Sequence, residues 1–349
     1  MSNHISKKKH FVPITPLLRK YLKNEEREMK FGLEYDDLLE HQLATPLLDK
    51  QGQDTLWETV FYGIERTEKL YQSLTYIYVM LKTEGDFSSF EHLGVDRIDY
   101  CSFGNSNPFR IRIINKFNDN YDYFYIKTAD ASRVYGLELE HLLSPNRISY
   151  YVDDNTLIEE HIAGIPGDMF INTMMHTKQN NKVRLAKEFV KFNERCFVRL
   201  LGDMRSYNYV MDITPDFDDV QYRIRAIDFD QQCYEGRKNL YLPQFFKENF
   251  ALVELGMELI NEKTVKQYQV EERSLIARRL IATRYRTKDL IDCMEQDSVS
   301  TPEKLKQLRE DLAKHHSNDD FLECETMGAV LKLQLKSTLA TQIRKVRNL

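Results

Sequence analysis

Asp203, Asn208 and Asp228 are the residues whose types and spacing most directly imply chemistry. They lie in the stretch RLLGDMRSYNYVMDITPDFDDVQYRIRAIDFD, residues 199–230, where Asn208 follows Asp203 by five positions. A carboxylate at Asp203 can accept the proton of a hydroxyl acceptor. Asn208 and Asp228 offer hard oxygens of the kind that hold Mg²⁺ against nucleotide phosphates. Such a set suits phosphoryl transfer, a reaction that needs little covalent help but much positioning and charge neutralisation.

Those side chains must be presented by short elements. Tyr209-Val210-Met211 is a first apolar run, and Tyr222 to Ile227 alternates at period two, as a half-buried strand does. Between them Thr214-Pro215-Asp216-Phe217-Asp218-Asp219 carries turn chemistry. The unit therefore reads as a loop, a hairpin and a second loop, with Asp203 at one end and Asp228 at the other.

Upstream, strand-like runs fall at 98–103, 110–114 and 123–127, with polar turns at 104–108 and 118–120. Backbone N–H groups of the first turn could approach phosphates, although Gly104 is its one glycine. Lys127 closes the third strand, and a helix follows from Asp130-Ala131-Ser132 to Pro145, carrying Glu138 and Glu140. A strand-end lysine paired with a glutamate of the next helix would hold its ammonium against phosphates. Glu138 and Glu140 are about 200° apart on a helix, so one of them at most can serve. A strand pair at 148–152 and 156–158, a connector from Glu159 to Gly167, and a helix from Leu185 to Val198 complete the path to the central stretch.

The chain has 349 residues, long enough for one bilobal domain or two ordinary ones, and its 30% charged composition fits a helix-rich globule. A net charge of −5 argues against a nucleic-acid platform, and no apolar run is long enough for a membrane span. Five scattered cysteines without a CxxC pair indicate neither a disulfide framework nor a zinc ribbon, which makes a reduced, cytoplasmic protein the default expectation. Residues 1–95 read as a helical N-terminal extension. A capping box at Thr55 and Glu58 is expected to start a long helix whose apolar face runs Leu56, Val60, Ile64, Leu70, Leu74, Ile77 and Leu81. Toward the C-terminus, Ser300-Thr301-Pro302 is a helix start, and another helix is expected from about Asp320 to Val346.

The order of strand meander, strand lysine, helix glutamate, strand pair, connector, helix, D-x-x-x-x-N, hairpin and D-F-D resembles the protein-kinase-like fold, in particular its aminoglycoside phosphotransferase and choline kinase branch. Gly202-Asp203 and Ile227-Asp228-Phe229-Asp230 match that branch's catalytic-loop and metal motifs, and Glu159 to Gly167 looks like its inter-lobe hinge. The resemblance covers residues 96–260. It implies an α+β, bilobal architecture: a small antiparallel N-lobe at 96–158, then a hinge and helical C-lobe at 159–349. It also implies ATP and Mg²⁺ as cofactors. Asp203 would be the catalytic base, and Lys127 would contact phosphates with Glu138 as its partner. Hinge backbone near Glu160 and Ile162 would bind adenine. Asn208 and Asp228 would hold the metal, with Asp230 as a further candidate ligand.

Three departures accompany the match. Leu201 stands where the branch has a bracing histidine, the glycine loop is sparse, and Arg205 is basic where protein kinases carry a lysine. Arg205 points toward a protein acceptor, whereas the lack of an A-P-E motif after Asp230 points toward a small molecule, which is the favoured acceptor. The partners expected are thus a hydroxyl-bearing small molecule or protein, with no nucleic acid and no membrane. The rival expectations are a pseudokinase-type nucleotide-sensing or scaffolding protein, a nucleotidyl transferase on the same fold, and a helical interaction protein.

Overall fold

A computed structural model describes residues 9–83, 87–103, 106–177, 181–216 and 219–347. The fold is mixed α+β, and the chain divides into two compact units. The first comprises residues 1–130 and 148–161, the second 131–147 and 162–349.

The first unit holds helices α1 (Pro16–Asn24), α2 (Tyr35–Leu39) and α3 (Ile64–Thr83) and strands β1 (Leu43–Leu48), β2 (Asp54–Phe61), β3 (Leu93–Tyr100), β4 (Phe109–Asn115), β5 (Tyr121–Thr128), β6 (Tyr150–Asp153) and β7 (Thr156–Glu160). The strands form one antiparallel sheet in the order β1-β2-β3-β4-β5-β7-β6. Alternation places Ile98, Ile111, Phe124, Ile126 and Ile158 on one face, where they join Leu70, Leu74, Ile77 and Leu81 of α3 in a single apolar core.

The N-terminal region is not wholly helical, and residues 54–61 correct the sequence expectation. They form a strand, and the Thr55 hydroxyl donates to Leu47 O at 2.6 Å instead of capping a helix. The β-branched Thr55, Thr59 and Val60 suit a strand, and Glu58 and Thr59 pair with Tyr100 and Asp99 of β3. The helix starts only at Ile64, which is 93% exposed, so the apolar stripe begins at Leu70 rather than Leu56. Pro46 fits β1 because that strand is the sheet edge, where a missing N–H is tolerated. Since β1 and β2 extend the same sheet as β3, the sheet runs across residue 95 without a boundary.

The second unit holds α4 (Ala131–Leu143), β8 (Ile165–Pro166), α5 (Gly167–Thr173), α6 (Lys182–Arg199), β9 (Tyr209–Asp216), β10 (Asp219–Ala226), α7 (Phe250–Leu259), α8 (Glu262–Ala282), α9 (Arg284–Met294), α10 (Pro302–His316) and α11 (Met327–Arg347). Thr301 caps α10 by accepting from Lys304 N, with Pro302 in the first turn as the sequence predicts. The last helix begins at Met327 rather than near Asp320, because residues Asp319–Glu323 form a separate 3₁₀ turn.

Helix α6 is the axis of this unit. Its side chains from Phe192 to Arg199 are all buried, and its charged members are matched internally. Arg195 bonds Glu188 at 2.6 Å and Ile224 O at 3.0 Å, and Arg199 pairs with Glu140 of α4. Burial alone would raise the Glu140 carboxyl, but the Arg199 guanidinium and Ser144 outweigh it and hold the group below its usual value.

Candidate functional site

The loop carrying Asp203 is set by how α6 ends. Leu200 caps the helix in the left-handed region at φ 53°, and its N–H bonds back to Cys196 and Phe197 carbonyls. The chain then runs antiparallel to residues 231–233. Leu201 bridges Gln232, Gly202 N donates to Gln231 O at 3.2 Å, and Cys233 N donates to Leu200 O at 2.9 Å. The Gln232 amide adds a bond to Arg199 O at 2.6 Å. These bonds brace the loop around Leu201. Leu201 itself is buried.

Asp203 has φ 57°, a conformation uncommon outside glycine and best tolerated by Asn and Asp. The bonds around it hold that geometry. Its N–H donates to Leu240 O at 3.1 Å, and its carbonyl accepts from Arg205 N at 2.8 Å and from the Asn208 side-chain amide at 2.7 Å. Asn208 in turn receives Ile227 N at 3.0 Å on its carbonyl. The start of the loop, its end, and the residue preceding Asp228 are thereby tied together, as the motif spacing requires.

The Asp203 carboxylate accepts from Arg205 Nε at 2.8 Å, and Arg205 Nη1 donates to Glu248 at 2.8 Å. The same guanidinium lies over the Phe246 ring, 5.0 Å from its centroid. Burial pushes the Asp203 carboxyl above the usual aspartate value, with Glu235 and Glu248 adding to it and Arg205 opposing it. The Asp203 side chain is 34% exposed. Burial raises the Tyr207 phenol above its usual value, with Arg205 opposing it and the Asp203 and Asp228 carboxylates adding to it.

Two glycines allow close packing here. A Cβ on Gly136 would meet Phe229 Cβ at 2.9 Å, so α4 can lie directly on the Asp228-Phe229-Asp230 segment. Arg133, one turn earlier on the same face of α4, reaches Asp228 Oδ1 and Asp230 Oδ1, both at 2.9 Å. Ser132 Oγ donates to Asp230 O at 3.1 Å. A Cβ on Gly167 would meet Tyr209 Cε2 at 2.2 Å and Ser206 O at 2.5 Å. Gly167→Ala therefore forces backbone apart beside Asn208 and should cost about 1–3 kcal/mol. A clear drop in the midpoint of thermal unfolding is the expected readout.

The other expected site residues are distributed as follows. Lys127, in the first unit, donates to Glu159 Oε2 at 2.8 Å, across the β5–β7 ladder. Glu138, in the second unit and fully buried, accepts from Arg286 Nε at 2.7 Å. The two groups expected to pair each have a close partner within their own unit. The Glu160 N–H donates to Ser149 O at 3.0 Å, and Ile162 is buried. Gly104 lies outside the described residues.

Asn208 and Asp228 would offer a divalent cation one amide oxygen and one carboxylate. Mg²⁺ takes one or two carboxylates and completes its shell with water and phosphate oxygens. Asp228 is 32% exposed at its side chain, but its Oδ1 already receives Arg133 Nη1 and the Asp230 N–H, the latter at 3.0 Å. Among the described residues no cluster of three or more His, Cys, Asp or Glu forms a ready-made metal cage. No helix among them is long and apolar enough to cross a membrane.

Arg133, Gln232, Glu248 and Asn249 escaped the sequence reading. Asn249 is fully buried, donates to Met204 O and Pro243 O at 2.9 and 2.8 Å, and accepts from the Tyr209 hydroxyl at 2.9 Å. An asparagine in the aromatic stretch FFKENF was the one available signal for it.

No protein-family model and no curated protein sequence matches the chain. Among solved structures it is similar to one described as "Titin kinase and its flanking domains", with a TM-score of 0.25 and 12% identity over 70% of this chain. The match spans about half of that chain, 54%. At that level of similarity the functional reading rests on this chain's own side chains.

Proposed function

We propose that the chain is an ATP-dependent phosphotransferase acting on a hydroxyl acceptor, with a small molecule favoured over a protein. The observation that carries the reading is the loop in which the Asn208 amide holds the Asp203 carbonyl while Asn208 O receives Ile227 N, next to Asp228. Asp203 takes the acceptor's proton as the hydroxyl oxygen bonds to the γ-phosphorus. The bond from that phosphorus to the β-bridging oxygen breaks, and ADP leaves with the electron pair. Arg205, anchored by Glu248, keeps the Asp203 carboxylate oriented. Asn208 and Asp228 are the oxygens that would hold Mg²⁺, whose chemistry here is to neutralise phosphate charge.

A second reading is a nucleotide-sensing or scaffolding protein without turnover. One observation favours it: the Arg133 guanidinium on Asp228. Thermal unfolding with ATP, with and without Mg²⁺, tests the shared core of both readings, because a ligand bound only by the folded state raises the melting temperature. The wild type should shift with Mg-ATP and Asp228→Ala should lose most of the shift. No shift in the wild type at millimolar nucleotide would contradict the phosphotransferase and nucleotide-sensing readings and leave only a scaffolding role. ATP turnover then separates them.

A further inference from the structure

We propose that Arg133 is a resident counter-cation that competes with divalent metal for Asp228, so that metal affinity at this loop is set by the balance between Asp228 and Asp230 as partners of one guanidinium. The inference rests on the proposed role of Asn208 and Asp228 as the metal-holding pair.

A single nitrogen, Arg133 Nη1, is shared by Oδ1 of Asp228 and Oδ1 of Asp230, each at 2.9 Å. Arginine does not lose its proton in proteins, and the Arg133 side chain is only 2% exposed, so this charge neither titrates away nor swings into water. It is fixed from below by α4, whose Gly136 packs on Phe229, and by a further bond from Nη2 to Ile227 O at 3.3 Å. A divalent cation approaching Asp228 therefore meets a carboxylate already neutralised by a charge-assisted hydrogen bond. Its Oδ1 also receives the Asp230 N–H, which occupies both acceptor directions of that oxygen. Asp230 gives Arg133 an alternative partner. When a cation draws Asp228 away, the guanidinium keeps one carboxylate and one carbonyl, so the exchange does not leave a buried charge unpaired. The arrangement thus tunes metal binding and does not abolish it.

The competition makes opposite predictions for two substitutions. Arg133→Gln removes the competing charge and should tighten Mn²⁺ binding by about tenfold or more. Asp230→Asn weakens the alternative anchor, throws the guanidinium onto Asp228, and should loosen Mn²⁺ binding. Free Mn²⁺ counted by electron paramagnetic resonance, with and without ATP, reads both effects directly, and circular-dichroism melting reports whether each variant folds. If Arg133→Gln fails to fold, Arg133→Met, which removes the same charge and keeps an apolar stem, takes its place. Equal or weaker Mn²⁺ binding in folded Arg133→Gln, or tighter binding in Asp230→Asn, would overturn the competition while leaving the phosphotransferase reading intact. Absence of Mn²⁺ binding in every form, with ATP present, would remove the metal reading and this proposal with it.

Discussion

Replacing Asp203 with asparagine is expected to lower ATP turnover by about 10²–10⁴-fold, the range that a positioned general base supplies. The amide is nearly isosteric and its oxygen can still accept from Arg205 Nε, so the loop keeps the backbone bonds to Leu240 and Asn208. The variant should therefore fail in chemistry without failing to fold. Its stability has a definite sign. Because burial raises the Asp203 carboxyl, the charged form costs the folded state stability above the ordinary aspartate range, and that cost fades as pH falls. At neutral pH the variant should melt no lower than the wild type. The same raised value predicts that the wild-type rate falls, as pH drops, at a point above that of an ordinary aspartate. A pH–rate profile in which this acid limb is missing from the residual activity of the variant would tie it to Asp203.

The largest effect on stability is expected at Arg199→Met. Arg199 and Glu140 are 2% and 3% exposed, and they neutralise one another between α6 and α4. Methionine fills much of the volume but leaves Glu140 buried without its cation, which costs about 3–5 kcal/mol. Urea unfolding monitored by circular dichroism measures it. Glu140→Gln strands the buried Arg199 guanidinium instead, leaving it the amide oxygen and Arg195 O as acceptors, so it should also destabilise. The pH dependence follows from the lowered Glu140 carboxyl. Its contribution is present above the ordinary glutamate range and is lost as pH falls through the depressed value, so Glu140→Gln should flatten that part of the acid-stability curve. The exposed pair Lys288–Asp292 should show no resolvable change when removed, since such pairs contribute little.

The hairpin that presents the candidate site was legible because its signals are local. Tyr222 to Ile227 alternate, a turn-rich stretch precedes them, and β10 pairs with β9 in the register that sets Ala226 opposite Tyr209. Asp203 and Asn208 were legible for the same reason, since five residues of loop suffice to bring them together. Beta strand β2 was not. Thr55 and Glu58 have the spacing of a capping box, and the ladder with β1, together with the pairing of Glu58 and Thr59 with β3 about forty residues onward, decides for a strand. The ion pairs were hidden in a similar way. Lys127 lies opposite Leu157 and reaches Glu159 diagonally, a contact that requires the sheet register. Arg133 meets Asp228 across 95 residues of sequence and Glu138 meets Arg286 across 148, distances over which helical spacing carries no information.

The most direct measurement is phosphorus nuclear magnetic resonance of ATP and Mg²⁺ incubated with the full chain and a panel of small hydroxyl acceptors. Loss of the γ-phosphate signal, appearance of ADP and a new phosphate-ester resonance are expected, all absent with Asp203→Asn. Release of AMP with pyrophosphate, a nucleotidyl-ester resonance, or ATP left intact under conditions where Mg-ATP raises the melting temperature would contradict the phosphotransferase reading.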